Sequence, residues 1–280
     1  HGHLGGKIQE EETDIILNTT GRDYHEQSLQ EAKNRYLKQW RRGYRAQDDK
    51  PILKEPMLSY KYKDHKNKIT FPIAMDVKLD GIRCLIFYDN SEGRVRYRSR
   101  QNRFWEHLNE VFDEQVLKLL EYLPPGTELD GEMYTHGKEF NQFTSTFKKE
   151  VNKDTSKIKR EVGYYLFDYN ESIPYEQRWM TLFNGYKNFV KNYKGRINIF
   201  LLNNYYAYNE KDIDIFYDWS IKEGYEGIML KFLYLSNKTK VGYKRSLYLP
   251  GRKINILKHK PYIDEEVEII GVKSGMGREK

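Results

Sequence analysis

The residues with the clearest chemical promise in this 280-residue chain sit in one stretch, AMDVKLDGIRCLIFY, from Ala74 to Tyr88. Lys78 stands two residues before an Asp-Gly pair and five before Arg83, inside an otherwise apolar run. An unpaired charge there is costly to desolvate, so these charges either pair structurally or one of them does chemistry. A lysine amine is nucleophilic only after losing its proton, and its free pKa is about 10.4. Desolvation, neighbouring cations or a metal lower that value enough for covalent catalysis. Gly81 would then let a phosphate approach the backbone closely. Taken alone, KLDGIR reads more readily as a hairpin turn, because Asp-Gly between two strands is a strong hairpin signal.

Further stretches carry charge into apolar runs: YRSRQNR (97–103), LDGEMY (129–134), YYLFDYN (164–170), YEQRW (175–179), EGIMLK (226–231) and NILKHK (255–260). Each has a plain reading as well. Glu132 could be a turn residue beside Asp130-Gly131, and Phe167 ordinary core. Glu226 and Lys231 could be surface charges flanking GIML, and KHK a solvated strand end.

These residues need elements to hold them. ITFPIAMDVKL, IRCLIFYD, RVRYRSR and TELDGEMY are short apolar or alternating runs separated by Asp-Gly, Asn-Ser and Gly, which predicts strands and hairpins. Helical spacing interrupts them at LNEVFDEQVLKLLEYL, FNQFTSTFKKEV, RWMTLFNGYKNFVKNY and DIFYDWSIKEG, and GIMLKF and INILKHK again look like strands. The mixture lacks a regular βαβ rhythm, so the fold class is α+β. Upstream of Pro51, SLQEAKNRYLKQWRRGY places Leu29, Ala32, Tyr36 and Trp40 at helical spacing with basic residues between them. With 24 Tyr, 13 Phe and 4 Trp to pack, the chain is not composed like a disordered one. The 48 basic residues exceed the 41 acidic ones, a net charge of +7 that favours a polyanionic partner. No apolar run approaches the roughly 18 residues of a membrane span, so nucleic acid is expected rather than a membrane. Cys84, the single cysteine, excludes an internal disulfide and a cysteine-rich zinc site, and a reducing cytosol-like or nucleus-like compartment is expected.

In the order KLDGIR, LDGEMY, YYLFDYN, EGIMLK, NILKHK, these stretches resemble the nucleotidyltransferase motifs of ATP-dependent DNA ligases. That superfamily also holds RNA ligases and mRNA capping enzymes, and the resemblance runs from about Lys54 to Pro261. It implies an antiparallel-sheet adenylation domain of the ATP-grasp-like ligase type over 51–262. Lys78 would attack the α-phosphate of ATP and become a lysyl-adenylate. Arg83 would contact ribose and phosphate, Glu132 a ribose hydroxyl, and Phe167 the adenine face. Related ligases usually carry Glu two residues before the nucleophile; here Asp76, a shorter carboxylate, would face the adenine edge. Glu226 would help hold magnesium or manganese, and Lys231, Lys258 and Lys260 would surround the triphosphate. Ser99 and Arg100 occupy the Ser-Arg positions of a nucleotide and DNA contact motif. Arg178 matches an arginine often found after the Phe-Asp motif.

Two flanking units are expected as well. Residues 1–50, with GHLGGKIQ and a helix ending RRGY, resemble part of a small α/β WGR-type module linked to nucleic-acid binding. Its basic helix (Lys33, Arg35, Lys38, Arg41, Arg42, Arg45) would grip backbone phosphates. EEVEIIGVKSGMGREK, within 263–280, reads as the start of an oligonucleotide-binding β-barrel, and the chain as a fragment that opens without methionine. The resemblance therefore implies a monomeric enzyme that takes ATP and nicked duplex DNA, with viral or phage encoding open. An RNA ligase, a capping guanylyltransferase and a non-catalytic nucleic-acid-binding module remain alternatives, although EGIMLK and LFDYN look more like the DNA ligase versions.

Overall fold

The computed structural model describes residues 14–17, 21–41, 53–137 and 161–261. In chain order the elements are α1 (Tyr24–Arg41), β1 (Met57–Lys61), the short α2 (Tyr62–His65), β2 (Ile73–Lys78), β3 (Ile82–Asp89), β4 (Arg94–Ser99), α3 (Asn109–Leu120) and β5 (Leu129–Tyr134). There follow β6 (Gly163–Tyr169), α4 (Tyr175–Asn192), β7 (Ile199–Leu201), β8 (Tyr205–Ala207), α5 (Glu210–Lys222), β9 (Gly227–Lys231), α6 (Lys240–Ser246) and β10 (Gly251–His259). The strands form two five-stranded sheets, ordered β1-β10-β9-β2-β8 and β4-β3-β5-β6-β7. Every pairing is antiparallel except β1 with β10 and β6 with β7. This is the expected α+β architecture.

Period-two alternation assigns the faces of each sheet. In the second sheet Cys84, Ile86, Val95, Tyr97, Leu129, Met133, Tyr164 and Leu166 point to one side. There they join Phe112, Val116 and Leu119 of α3 and Leu182 and Phe189 of α4 in a closed core. The opposite face carries Arg83, Asp130 and Glu132, which looks toward the first sheet. In the first sheet Ile73, Met75, Val77, Ile228, Leu230 and Leu257 pack with Ile213 and Phe216 of α5. Asp76, Lys78, Met229, Lys231, Ile256 and Lys258 are left on the inner face.

Two expectations change here. KLDGIR is not a hairpin: β2 pairs with β8 and β9, whereas β3 pairs with β4 and β5, so Leu79–Gly81 carries the chain from one sheet to the other. Gly81 is needed for packing. A Cβ there would collide with the Met133 carbonyl oxygen and stand 2.8 Å from Glu132 Cγ. Asp130-Gly131 is not a turn either, but lies inside β5 between β3 and β6. A Cβ on Gly131 would come within 2.6 Å of the Tyr164 ring and the Tyr165 carbonyl oxygen, so glycine lets β5 and β6 approach there.

The basic helix is present as α1, and a capping box opens it: Glu26 N–H donates to Asp23 Oδ1 (2.8 Å) and Asp23 N–H to Glu26 Oε2 (3.3 Å). Arg42 and Arg45 lie outside the described residues, as do GHLGGKIQ, FNQFTSTFKKEV and the expected barrel strand. Among the described residues no helix is long and apolar enough to cross a membrane.

Candidate active site

Between the inner faces of the two sheets lies a cavity of about 230 Å³. Asp76, Lys78, Arg83, Arg100, Glu132, Phe167, Lys231 and Lys258 all line it, so eight of the residues singled out from sequence converge although they come from seven separate strands or turns. Phe167 and Leu202 supply apolar surface on one side and Met229 and Ile256 on the other. Phe167 belongs to none of the buried clusters. Its ring is free for the cavity, with the Arg83 guanidinium 5.5 Å and Lys231 Nζ 5.3 Å from its centroid.

Lys78 ends β2 at the mouth of the cavity, opposite Gly227. Its Nζ donates to Glu226 Oε2, and Lys260 Nζ donates to Glu226 Oε1 at 2.7 Å. One carboxylate therefore holds two cations, and both it and Lys78 remain partly open to solvent. Burial alone would raise the Glu226 carboxyl, but the hydrogen bonds from Lys260 and Lys78 bring it below the usual range. Lys258, one strand further on, is lowered by burial and by the nearby charges of Lys260, Lys78 and Arg252. Three lysines and an arginine concentrated at one rim form a site for an anion.

The inner end has a different character. Lys231 is almost fully buried and donates to Asp76 Oδ2 (2.5 Å), the Phe167 carbonyl (3.1 Å) and Tyr175 Oη (3.4 Å). Burial would lower its pKa, but the Asp76 charge, followed by Tyr175 and Asp168, lifts it above the ordinary value. It pairs across the strands with Ala74, four residues from Lys78, which sets it about 13 Å along the strand from Lys78. Lys231 thus stands apart from the rim that Lys258 and Lys260 share. Asp76 Oδ1 is buried and has no hydrogen-bond partner among the described residues.

Arg83 forks onto Asp130, Nε to Oδ1 at 2.8 Å and Nη2 to Oδ2 at 2.5 Å, while Nη1 donates to the Met57 carbonyl at 2.8 Å. Glu132 lies beside it, and burial pushes its carboxyl up to about 7 despite the opposing charges of Lys78 and Arg83. Ser99 and Arg178 do not line the cavity. Ser99 Oγ accepts from the backbone N–H groups of Gln101 (3.2 Å) and Arg103 (3.0 Å), which shapes the turn that carries Arg100 to the cavity. Arg178 is fully buried and forks onto Asp168 (2.7 and 3.1 Å), also donating to the Ser246 carbonyl at 3.1 Å. Helix α1 contributes nothing to the lining.

Several partners were not singled out from sequence. Asp130 and Asp168 stood inside quoted stretches, in alternation with the apolar residues, and that alternation was the available signal. Arg98 was quoted too; it is wholly buried on Glu128 Oε1 (2.7 Å) and the Lys54 carbonyl (2.7 Å). Tyr248 and Met57 carry no local signal.

Two largely antiparallel sheets facing across a slot, with a lysine at its mouth and cations around it, make a nucleotidyltransferase fold. Residues 56–260 match the sequence profile described as ATP dependent DNA ligase domain, and the chain belongs to that family. Solved structures agree on the fold. A chain designated Pmar-Lig_PreS3 is similar at 19% identity with a TM-score of 0.59, covering 82% of this chain and 51% of its own. The ATP-dependent DNA ligase from bacteriophage T7 in complex with ATP superposes with a TM-score of 0.54 at 17% identity, over 74% of this chain and 68% of its own. The Chlorella virus DNA ligase-adenylate gives 0.53 at 20% identity, over 75% and 69%. No curated protein sequence matches the chain. The chain spans about half the length of Pmar-Lig_PreS3.

Proposed function

We propose that this chain is the adenylating part of an ATP-dependent DNA ligase that seals nicks in duplex DNA. The observation that carries the reading is Lys78 Nζ held by Glu226 at the mouth of an apolar slot, with Lys258 and Lys260 beside it. Adenine would enter between Phe167 and Met229, a planar π-face suited to a base. The unpartnered Asp76 Oδ1 would accept a hydrogen from the exocyclic amine of adenine. Arg83 and Glu132 would meet the ribose, which places the phosphates at the Lys258–Lys260 rim.

The amine of Lys78 must shed its proton before it attacks, and Glu226 is the carboxylate in contact with it. A bond then forms from Lys78 nitrogen to the α-phosphorus while the bond from that phosphorus to the bridging oxygen breaks. Pyrophosphate leaves with the electron pair, its charge offset by Lys258 and Lys260. The adenylyl group passes from Lys78 to the 5′-phosphate at the nick, and the 3′-hydroxyl displaces AMP to close the strand. Among the described residues no cluster of three or more metal-ligating side chains occurs, so Glu226 fits a divalent ion only together with phosphate oxygens. Magnesium or manganese bound in that way would withdraw charge from the reacting phosphate. Arg100, which is exposed and lines the slot, with Ser99 shaping its turn, supports a duplex lying across the mouth.

Intact mass spectrometry after incubation with ATP tests the reading. An adduct of adenylyl mass, labile to acid and stable to alkali, is expected on the wild type and absent from Lys78→Ala, which should keep its fold and its affinity for nicked DNA. Label retained from GTP instead of ATP would move the chain to the capping class. No adduct from either nucleotide would leave the non-catalytic module standing.

A further inference from the structure

Tyr248 lies outside every motif, in the segment between α6 and β10, and does not line the cavity. It is nevertheless almost completely buried, and its hydroxyl is fully used. Oη donates to Asp130 Oδ2 at 2.6 Å and accepts from Met57 N–H at 3.2 Å. Asp130 Oδ2 is the same oxygen that receives Arg83 Nη2, and the Met57 carbonyl is the acceptor for Arg83 Nη1. The four groups close a ring, Tyr248 to Asp130 to Arg83 to Met57 and back to Tyr248. Asp130 belongs to β5 in one sheet and Met57 to β1 in the other, so the phenol bridges the two sheets.

We infer that Tyr248 is a positioning residue for nucleotide binding, acting through Asp130 on Arg83. The inference rests on the ligase reading, because it takes Arg83 as a nucleotide contact. Arg83 has several rotatable bonds, and a guanidinium left to choose its own rotamer would bind a nucleotide less tightly than one already placed. Asp130 fixes the fork, and the phenol fixes Asp130, whose second oxygen would otherwise be free to rotate off the arginine. The ring of Tyr248, packed on Met57 and Ile256, holds the hydroxyl in place. A bond to a charged partner of this kind is among the stronger side-chain hydrogen bonds.

The decisive variant is Tyr248→Phe, which keeps the ring and removes the hydroxyl. ATP affinity is measured by calorimetry in the unreactive Lys78→Ala background, and KM and kcat of self-adenylation in the reactive chain. Kd and KM for ATP should rise about tenfold with kcat within about twofold, the loss of one charged hydrogen bond. The same substitution in an Arg83→Ala background should add almost nothing, since the two residues act in series. Asp130→Asn, whose single amide oxygen cannot serve all three donors (Arg83 Nε, Arg83 Nη2 and Tyr248 Oη), should show the same loss and the same dependence on Arg83, and it serves if Tyr248→Phe does not fold. Unchanged ATP affinity, or a penalty that simply adds to that of Arg83→Ala, overturns the inference. A wild type that binds ATP but forms no adduct would refute the ligase reading alone, and calorimetry would still decide the role of Tyr248. A chain that does not bind ATP overturns both.

Discussion

Glu132→Gln should stabilise the free protein at neutral pH while weakening its use of ATP. Burial holds the Glu132 carboxyl up near 7, against 4.5 for an ordinary glutamic acid, with Asp130 and Glu226 adding to the effect and Lys78 and Arg83 opposing it. The folded chain therefore keeps a proton on this group that the unfolded chain has already lost between these two values. Stability conferred by the neutral acid is present below about pH 4.5 and is lost as pH rises toward about 7, above which the cost of the buried charge is constant. That interval, at about 1.36 kcal/mol per pH unit, corresponds to about 3 kcal/mol. Glu132 keeps some exposure to the cavity, so solvent reduces the effect and about 2 kcal/mol is the expected difference. Glutamine occupies the same volume without a charge to ionise. Urea unfolding of both proteins at about pH 5 and about pH 8 reads it directly: the wild type should lose about 2 kcal/mol more than the variant over that range. In a chain of this size the same difference moves the melting temperature by about 4–8 °C. Parallel stability–pH profiles for the two proteins would refute the reasoning, because they would show that Glu132 ionises as readily in the fold as in water.

Lys231→Met removes the partner of Asp76, which is 3% exposed and would be left as a buried carboxylate without a counter-charge. The expected loss is about 3–5 kcal/mol in urea unfolding, largely recovered by adding Asp76→Asn; a loss that persists in the double variant would assign Lys231 a packing role instead. Gly131→Ala forces a Cβ within 2.6 Å of the Tyr164 ring, inside the β5–β6 ladder. About 1–3 kcal/mol of destabilisation is expected from that overpacking, measured by thermal unfolding, and an unchanged melting temperature would show that the two strands can separate there without cost.

Much of the site was legible because its parts are short and local. Lys78, Glu132, Phe167, Glu226, Lys258 and Lys260 each sit in a run of a few residues whose alternation already says strand, and the order of the runs carried the resemblance. The helices α3, α4 and α5 were legible from their 3.6-residue spacing. Taken alone KLDGIR reads as a hairpin because the Asp-Gly signal describes a turn, and that signal is silent about which sheet the next strand will join. β1, β7, β8 and α6 are short and lack a strong period, so only pairing with their neighbours defines them.

By itself the sequence determined which lysines, carboxylates and aromatic residues stand together in short charged and apolar runs, and which side chains share a strand face. Those properties follow from side-chain chemistry and from the period of two along a strand, both readable within a few residues. Only the tertiary structure decided which charge meets which. Lys78 reaches Glu226 across 148 residues, Lys231 reaches Asp76 across 155, and Arg83 takes Asp130 rather than the nearer Asp80. It also turned Arg178 inward to Asp168 and brought Tyr248 under Asp130. A buried ion pair depends on strand register and on the facing of two sheets, and those are settled by long-range packing that no local pattern encodes.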